Sequence, residues 1–315
     1  MPIPDVLTLT LNPTVDMYSI ADAVMPTHKI RTHDETMRPG GGGVNVARVL
    51  DRLGTRVEAL YLSGGASGQV LDALLAREKL PVRRIAIQGD TRLSLTVRDR
   101  STASEYRFVP EGPCASDLEL DQAMQAVAAS RSEWLVLSGT LPRDAPDDLY
   151  ARMISAAGRE QRLVLDSSGE ELRLALATGR TELVKPSRNE LEAITGFRLD
   201  DDRSLVRAAR EMVERGDARC IAVSSGGEGA VLVDERGGWR LDPPPVRVTS
   251  SVGAGDSFVA GMIAALSAGA DRIEAFRWGM AAGVATVATP GGNLCDRKSV
   301  EAMLENVGAP VPVAH

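Results

Sequence analysis

GGGGVNVARVLDRLGTRVEALYL, residues 40–62, holds one repeating unit of the architecture. Four glycines open a helical stretch, Val44–Leu53, and a short apolar run, Val57–Leu62, follows past Gly54. A helix feeding a brief, fully apolar strand is the building block of parallel α/β sheets. The same alternation continues along the chain. Further strand candidates are Val6–Leu11, Trp134–Leu137, Leu163–Leu165, Glu182–Val184 and Cys220–Val223. Helical patterns at Val70–Lys79 and Ser204–Glu214 lie between them, and Gly255 to Val307 reads as nearly all helix. The fold class expected is therefore α/β: a three-layer, mostly parallel sheet flanked by helices.

Two segments break the rhythm. Met17–Arg38 and Arg92–Val109 carry strand-like stretches with no helix between them, which a doubly wound sheet does not accommodate. They read as antiparallel strands of a small separate sheet covering a ligand site. The expected division is a large unit of residues 1–16, 39–91 and 110–315, and a small lid sheet of 17–38 and 92–109.

Composition narrows the function. A chain of 315 residues with 43% hydrophobic and 25% charged residues has the make-up of an ordinary globular protein. A net charge of −7 argues against nucleic-acid or anionic-membrane partners, and 3% aromatics leaves little for base stacking. Cys114, Cys220 and Cys295, with His28, His33 and His315, form no metal-ligand spacing. No run is long enough to span a bilayer, and Val6–Leu11 is too short for a signal sequence, so a cytoplasmic location is expected.

Ser250-Ser251-Val252-Gly253-Ala254-Gly255-Asp256-Ser257 joins a small-residue turn to a carboxylate at the start of an apolar helix. Converging N–H groups and the helix dipole favour an anion there, and Asp256 is placed to deprotonate a hydroxyl attacking a phosphoryl group. A tight loop with an acidic cap is the plainer alternative. The run Gly40–Gly43 is either a hinge or bare backbone open to a polar ligand, and its entropic cost favours the second. Asn45 on the first helical turn can hydrogen-bond hydroxyls. No Lys-Ser/Thr follows the glycines, so this is no Walker A loop, and it lies too far past the first strand for a dinucleotide fingerprint. Asp16 closes the first strand, as a hydroxyl acceptor or simply a turn residue. Other strand ends carry Ser138-Gly139-Thr140, Asp166-Ser167-Ser168-Gly169, Lys185-Pro186-Ser187 and Ser224–Gly229. Their agreement on one rim points to phosphate and hydroxyl binding. Arg92 and Arg107 in the small sheet are either solvated or grip a phosphate.

Asp16, Gly40–Gly43 with Asn45, Lys185-Pro186, Ser224–Gly229 and Val252–Asp256 together resemble the ribokinase-like (PfkB) carbohydrate kinases across essentially the whole chain. Glycine at position 42, where fructose-1-phosphate and tagatose-6-phosphate kinases carry Lys, points to the branch whose acceptor is fructose 6-phosphate. The resemblance implies ATP-dependent phosphorylation at O1, with Asp256 as general base and Gly253, Ala254 and Gly255 as the anion hole. It implies sugar contacts from Asp16, Gly41, Gly42 and Asn45. Phosphate contacts would come from Arg92, Arg107, Ser138 and Thr140, with Lys29 arriving from a partner subunit of a homodimer. Lys185, Ser187, Ser224, Gly226, Gly227, Gly229 and Ser251 would bind the nucleotide. Glu190 would organise Mg²⁺ through water, and Ser250, Val252, Gly291 and Asn293 would flank a K⁺ site. One departure is Ser187, where relatives usually have Asn. A tagatose-6-phosphate or fructose-1-phosphate kinase is the alternative within the family. A sugar-phosphate-binding regulator without turnover and a dinucleotide-dependent oxidoreductase are the alternatives outside it.

Overall fold

The computed structural model describes residues 3–290 and 293–313. In chain order the elements are β1 (Val6–Thr10), β2 (Thr14–Ala21), β3 (Thr32–Gly40), α1 (Gly42–Arg52), β4 (Val57–Gly64), α2 (Gly65–Glu78) and β5 (Val82–Ile87). There follow β6 (Arg92–Asp99), β7 (Glu105–Phe108), α3 (Asp117–Ala129), β8 (Trp134–Ser138), α4 (Leu149–Ala156), β9 (Arg162–Asp166), α5 (Gly169–Leu176) and β10 (Thr181–Val184). The last part holds α6 (Arg188–Thr195), α7 (Asp202–Arg215), β11 (Ala218–Ser224), β12 (Ala230–Asp234), β13 (Gly237–Leu241), α8 (Ala254–Ser267), α9 (Arg272–Ala288), α10 (Arg297–Leu304) and β14 (Val311–Pro312).

One sheet has ten strands in the order β14-β13-β12-β11-β10-β9-β8-β1-β4-β5. The seven strands from β11 to β5 pair in parallel, while β12, β13 and β14 add an antiparallel edge. Strand side chains alternate between faces, and both faces are buried. Trp134 and Val136 of β8 join one core cluster with residues of α1, α8 and α9. Leu135 and Leu137 join the other, with residues of α3 to α7. Helices on both sides of a doubly buried sheet make the three layers. Among the described residues no helix is long and apolar enough to cross a membrane.

The second sheet has the order β3-β2-β6-β7. Its outer pairs are antiparallel, but β2 and β6 run parallel, against the expectation of an all-antiparallel lid. Parallel neighbours need a long crossover; here the chain returns to the large sheet through α1, β4, α2 and β5 before re-entering at Arg92. Asp16 likewise does not close the first strand. Strand β1 ends at Thr10, the Asn12-Pro13 break turns the chain, and Asp16 sits inside β2. Strands β2 and β3 reach Thr14 and Gly40, three residues and two residues outside the segments expected for the small sheet. The hairpin β12–β13, which the sequence reading passed over, closes at Glu235-Arg236.

Helix α8 carries the sequence motif at its start, and α9 fixes its pitch through small residues. A Cβ at Gly261 would come within 2.5 Å of the Trp278 carbonyl and 2.8 Å of Ala282 Cβ. Gly261→Val should therefore cost about 3 kcal/mol by overpacking. A urea unfolding curve measures it, and an unchanged midpoint would show that the two helices part without penalty.

Candidate active site

The N-terminus of α8 lies between two cavities. Gly253 caps it with φ +75°, a left-handed conformation that glycine takes without strain, and its missing side chain leaves room for Leu294. Asp256 then falls in the first helical turn. Its Oδ2 accepts a 2.9 Å hydrogen bond from Asn45 Nδ2, which reaches across from the first turn of α1.

On one side is a cleft of about 40 Å³ lined by Asp16, Asn45, Arg107, Ser250 and Val252. Met17, Tyr18, Arg38, Arg48, Ser94, Thr96 and Leu294 complete its wall. The inner face of the small sheet thus supplies one side of the cleft, because Asp16 stands beside Arg38 and Ser94, and Thr96 beside Arg107. On the other side is a cavity of about 470 Å³. Its walls are apolar, from Pro243 to Val246 and from Phe258, Met280, Val284 and Val287. Its mouth is formed by Ser224, Gly226, Gly227, Gly229, Ser251, Ala254 and Gly255. A charged head with an apolar, flat body fits this combination.

The glycine run permits the close packing between. A Cβ at Gly42 would clash with Ser138 Oγ and lie 2.9 Å from the Gly139 amide nitrogen. Gly41 has φ +104°. Lys185 emerges past the end of β10, buried, and its Nζ is 3.1 Å from Asp166 Oδ1 at the end of β9. A Cβ on Gly255 would come within 3.5 Å of that Nζ, so the ammonium borders the turn before Asp256. Ser187 and Glu190 form a capping box at α6: Ser187 N–H donates to Glu190 Oε2 at 2.7 Å, and Glu190 N–H to Ser187 Oγ at 3.3 Å.

Electrostatics follow from burial. Loss of solvent and the nearby Asp166 carboxylate push Asp256 up to about 7, against the pull of Asn45 and Lys185. Burial lifts Asp16 to about 6, held back by Arg107, Arg48 and Arg92. Burial opposes the charge on Lys185, but Asp166 and Glu190 outweigh it and raise its pKa. The site therefore holds a carboxylate poised near neutrality beside fixed cations.

Most of the expected residues converge here. Arg92 and Thr140 are joined to the rim through Asn12: Arg92 Nη2 donates to the Asn12 carbonyl at 2.9 Å, and Asn12 Nδ2 to Thr140 Oγ1 at 3.3 Å. Lys29 does not join them; it is exposed on the connection between β2 and β3. Asn293 is exposed, with one 3.5 Å contact to the Pro290 carbonyl. Gly291 lies outside the described residues. Sequence reasoning marked the strand end Asp166–Gly169 without a separate role for the Asp166 carboxylate, and it gave none to Arg48. Asp166 could have been found as a carboxylate at the end of a parallel strand, and Arg48 as a cation one helical turn beyond Asn45.

Residues 10–299 match the model of the pfkB family carbohydrate kinases. The chain belongs to the pfkB family. It is 38% identical to the ATP-dependent 6-phosphofructokinase isozyme 2 of Mycobacterium tuberculosis, over 98% of this chain and 92% of that one. Phosphofructokinase-2 of Escherichia coli, solved in complex with potassium, superposes with a TM-score of 0.92 at 37% identity, covering 96% of this chain and 99% of that one. The same E. coli protein has been solved with fructose-6-phosphate and in a tetrameric inhibited form, each at TM-score 0.90. The 1-phosphofructokinase of Bacillus subtilis stands further off, 32% identical over 89% of this chain and 92% of its own. In this pfkB chain the four-stranded second sheet borders the polar cleft, and the loops after β11 and β13 with α8 and α9 border the apolar cavity.

The raised carboxylate gives a stability signature. An unfolded aspartate releases its proton near 3.8, whereas folded Asp256 holds it to about 7. Between those values the folded state carries the extra proton, so stability is withdrawn as pH rises through the window. Asp256→Asn removes that loss. Its melting temperature should exceed the parent's at pH 8, with the gap closing towards pH 4. Superimposable melting curves at pH 8 would show that the carboxylate is not held under strain.

Proposed function

We propose that the chain transfers the γ-phosphoryl of ATP to O1 of fructose 6-phosphate, giving fructose 1,6-bisphosphate and ADP. The observation that carries this reading is the place of Asp256, at a helix N-terminus between a polar, cation-lined cleft and an apolar cavity with a glycine-rich mouth. The cleft suits a phosphorylated sugar: Asp16 and Asn45 meet hydroxyls, Gly41 and Gly42 let the ring approach, and Arg92, Arg107, Ser138 and Thr140 meet its phosphate. The apolar cavity suits the base of ATP, with Ser224, Gly226, Gly227, Gly229 and Ser251 at its mouth and Lys185 and Ser187 toward the phosphates.

Asp256 accepts the proton of the O1 hydroxyl as that oxygen forms its bond to the γ-phosphorus and the bond to the ADP oxygen breaks. The amides of Gly253, Ala254 and Gly255, at the positive end of α8, stabilise charge on the migrating group. Lys185 neutralises charge on the leaving side. Carboxylate oxygens are the donor type that Mg²⁺ takes, and Glu190 and Asp166 are the carboxylates at hand to orient its waters. Bound with the nucleotide, Mg²⁺ supplies charge neutralisation. Glu190 is already half committed to the cap at Ser187, which fits an indirect role. Ser250 and Val252, whose loop is hydrogen-bonded to Val287 at the end of α9, would hold K⁺ through main-chain oxygens, with Asn293 beside them. ATP and sugar phosphates are cytoplasmic metabolites, and we place the enzyme there.

Asp256→Asn should lower turnover by ~10²–10⁴ while fructose 6-phosphate binding stays within a few-fold. An ADP-release assay on fructose 6-phosphate, fructose 1-phosphate, tagatose 6-phosphate and unphosphorylated sugars, with and without K⁺, then fixes the acceptor. Near-normal turnover of the variant, or preference for another sugar, overturns the reading.

We further propose a homodimer through the small sheets. Their outer face carries apolar side chains at Met37, Leu95 and Phe108, with Met37 50% and Phe108 59% exposed. Leu93 and Tyr106 extend the patch. Such a dimer would bring Lys29 of one subunit toward its partner's cleft. Phe108→Asp should shift sedimentation from dimer to monomer and reduce activity. A fully active monomeric parent would count against the dimer.

A further inference from the structure

Arg48 is buried, with 3% of its side chain exposed, and the reaction as described does not use it. Its guanidinium reaches three elements at once. Nε and Nη2 take the Glu78 carboxylate at the end of α2 as a fork, at 2.8 and 2.6 Å. Nη1 donates to the Pro39 carbonyl on β3, at 2.8 Å, and to Asn45 Oδ1 at 3.2 Å.

An arginine offers five donors and no acceptor. Whichever end of the Asn45 amide faces Arg48 must therefore be its oxygen. The nitrogen end is then compelled to face Asp256, and it can only donate. A fixed donor at 2.9 Å favours the ionised carboxylate, the form that accepts a proton.

We propose that Arg48 is a positioning residue: it locks the Asn45 amide so that Asp256 always meets a donor, and it ties that lock to the β3 end of the small sheet. The proposal rests on the reading of Asp256 as the base. Without the lock the amide is free to turn and present its oxygen, which disfavours the carboxylate and delays its ionisation to higher pH. Other charges act on the same groups. Asp166, Lys185 and Asp16 face Asp256, while Glu78, Arg52, Asp16 and Arg38 face Arg48. A test must therefore separate orientation from charge.

Arg48→Lys keeps the charge, but one ammonium cannot serve Glu78, Pro39 and Asn45 together. Its kcat should fall about 10-fold, the loss expected for a misplaced catalytic contact. The acid limb of kcat against pH should move up by about half a unit or more. Binding of a non-hydrolysable ATP analogue, by calorimetry, should stay within about two-fold and so report an intact fold. Glu78→Gln, which leaves Arg48 in place on a looser fork, should move both quantities the same way by less. In an Asn45→Ala background, Arg48→Lys should move the acid limb no further. Wild-type kcat and acid limb in Arg48→Lys would overturn the proposal. So would an equal shift in the Asn45→Ala background, which would mean that Arg48 acts by field alone. If instead Asp256→Asn retains turnover, the reading of the base is what fails.

Discussion

The chemistry proposed for this molecule depends on keeping one carboxylate, Asp256, dry at the start of a helix. Burial alone would neutralise Asp256 and spoil it as an anion. Asn45 and Lys185 oppose that tendency, and Asp166 adds to it. The balance lands near neutrality, where a base is most effective. Each of those groups comes from a different part of the chain: α1, the turn past β10, and the end of β9. The parallel sheet is what aligns them, since parallel strands deliver all their carboxyl ends to one rim.

The large sheet was legible in the sequence because its signal is local. A run such as Val57–Leu62 is apolar at every position but Glu58 for the same reason that it is buried at every position but that one, helices covering both faces. Predicted edges fell within a few residues of those observed; Val44–Leu53, for example, became Gly42–Arg52. The glycine turns and the Gly253–Asp256 helix start were legible too, because glycine and an acidic first turn mark such places locally.

What stayed hidden was non-local. A second sheet was expected beside Asp16, but not the parallel pairing of β2 with β6 that joins Asp16 to Ser94 across two intervening helices. The same holds for side-chain partners. Asn45 meets Asp256 over 211 residues, and Arg48 meets Glu78 over 30. A single chain shows that Arg48 lies one turn past Asn45, but not that a carboxylate from α2 closes on its far side. Ser187 is an instructive case between the two. Read against its relatives it was a missing amide, yet in place it is a helix cap reciprocated by Glu190, a local role that serine fills well.

The apolar cavity has a wall of three successive prolines, Pro243, Pro244 and Pro245. A proline nitrogen carries no hydrogen, so that stretch of main chain offers a guest carbonyl oxygens and ring carbons but no N–H. A heterocycle seated against it would be gripped by shape and dispersion, and on that side an amino substituent could donate to a carbonyl oxygen whereas an oxo substituent would find no donor. A wall built this way offers hydrogen-bond acceptors alone, and it favours a guest whose facing edge carries donors.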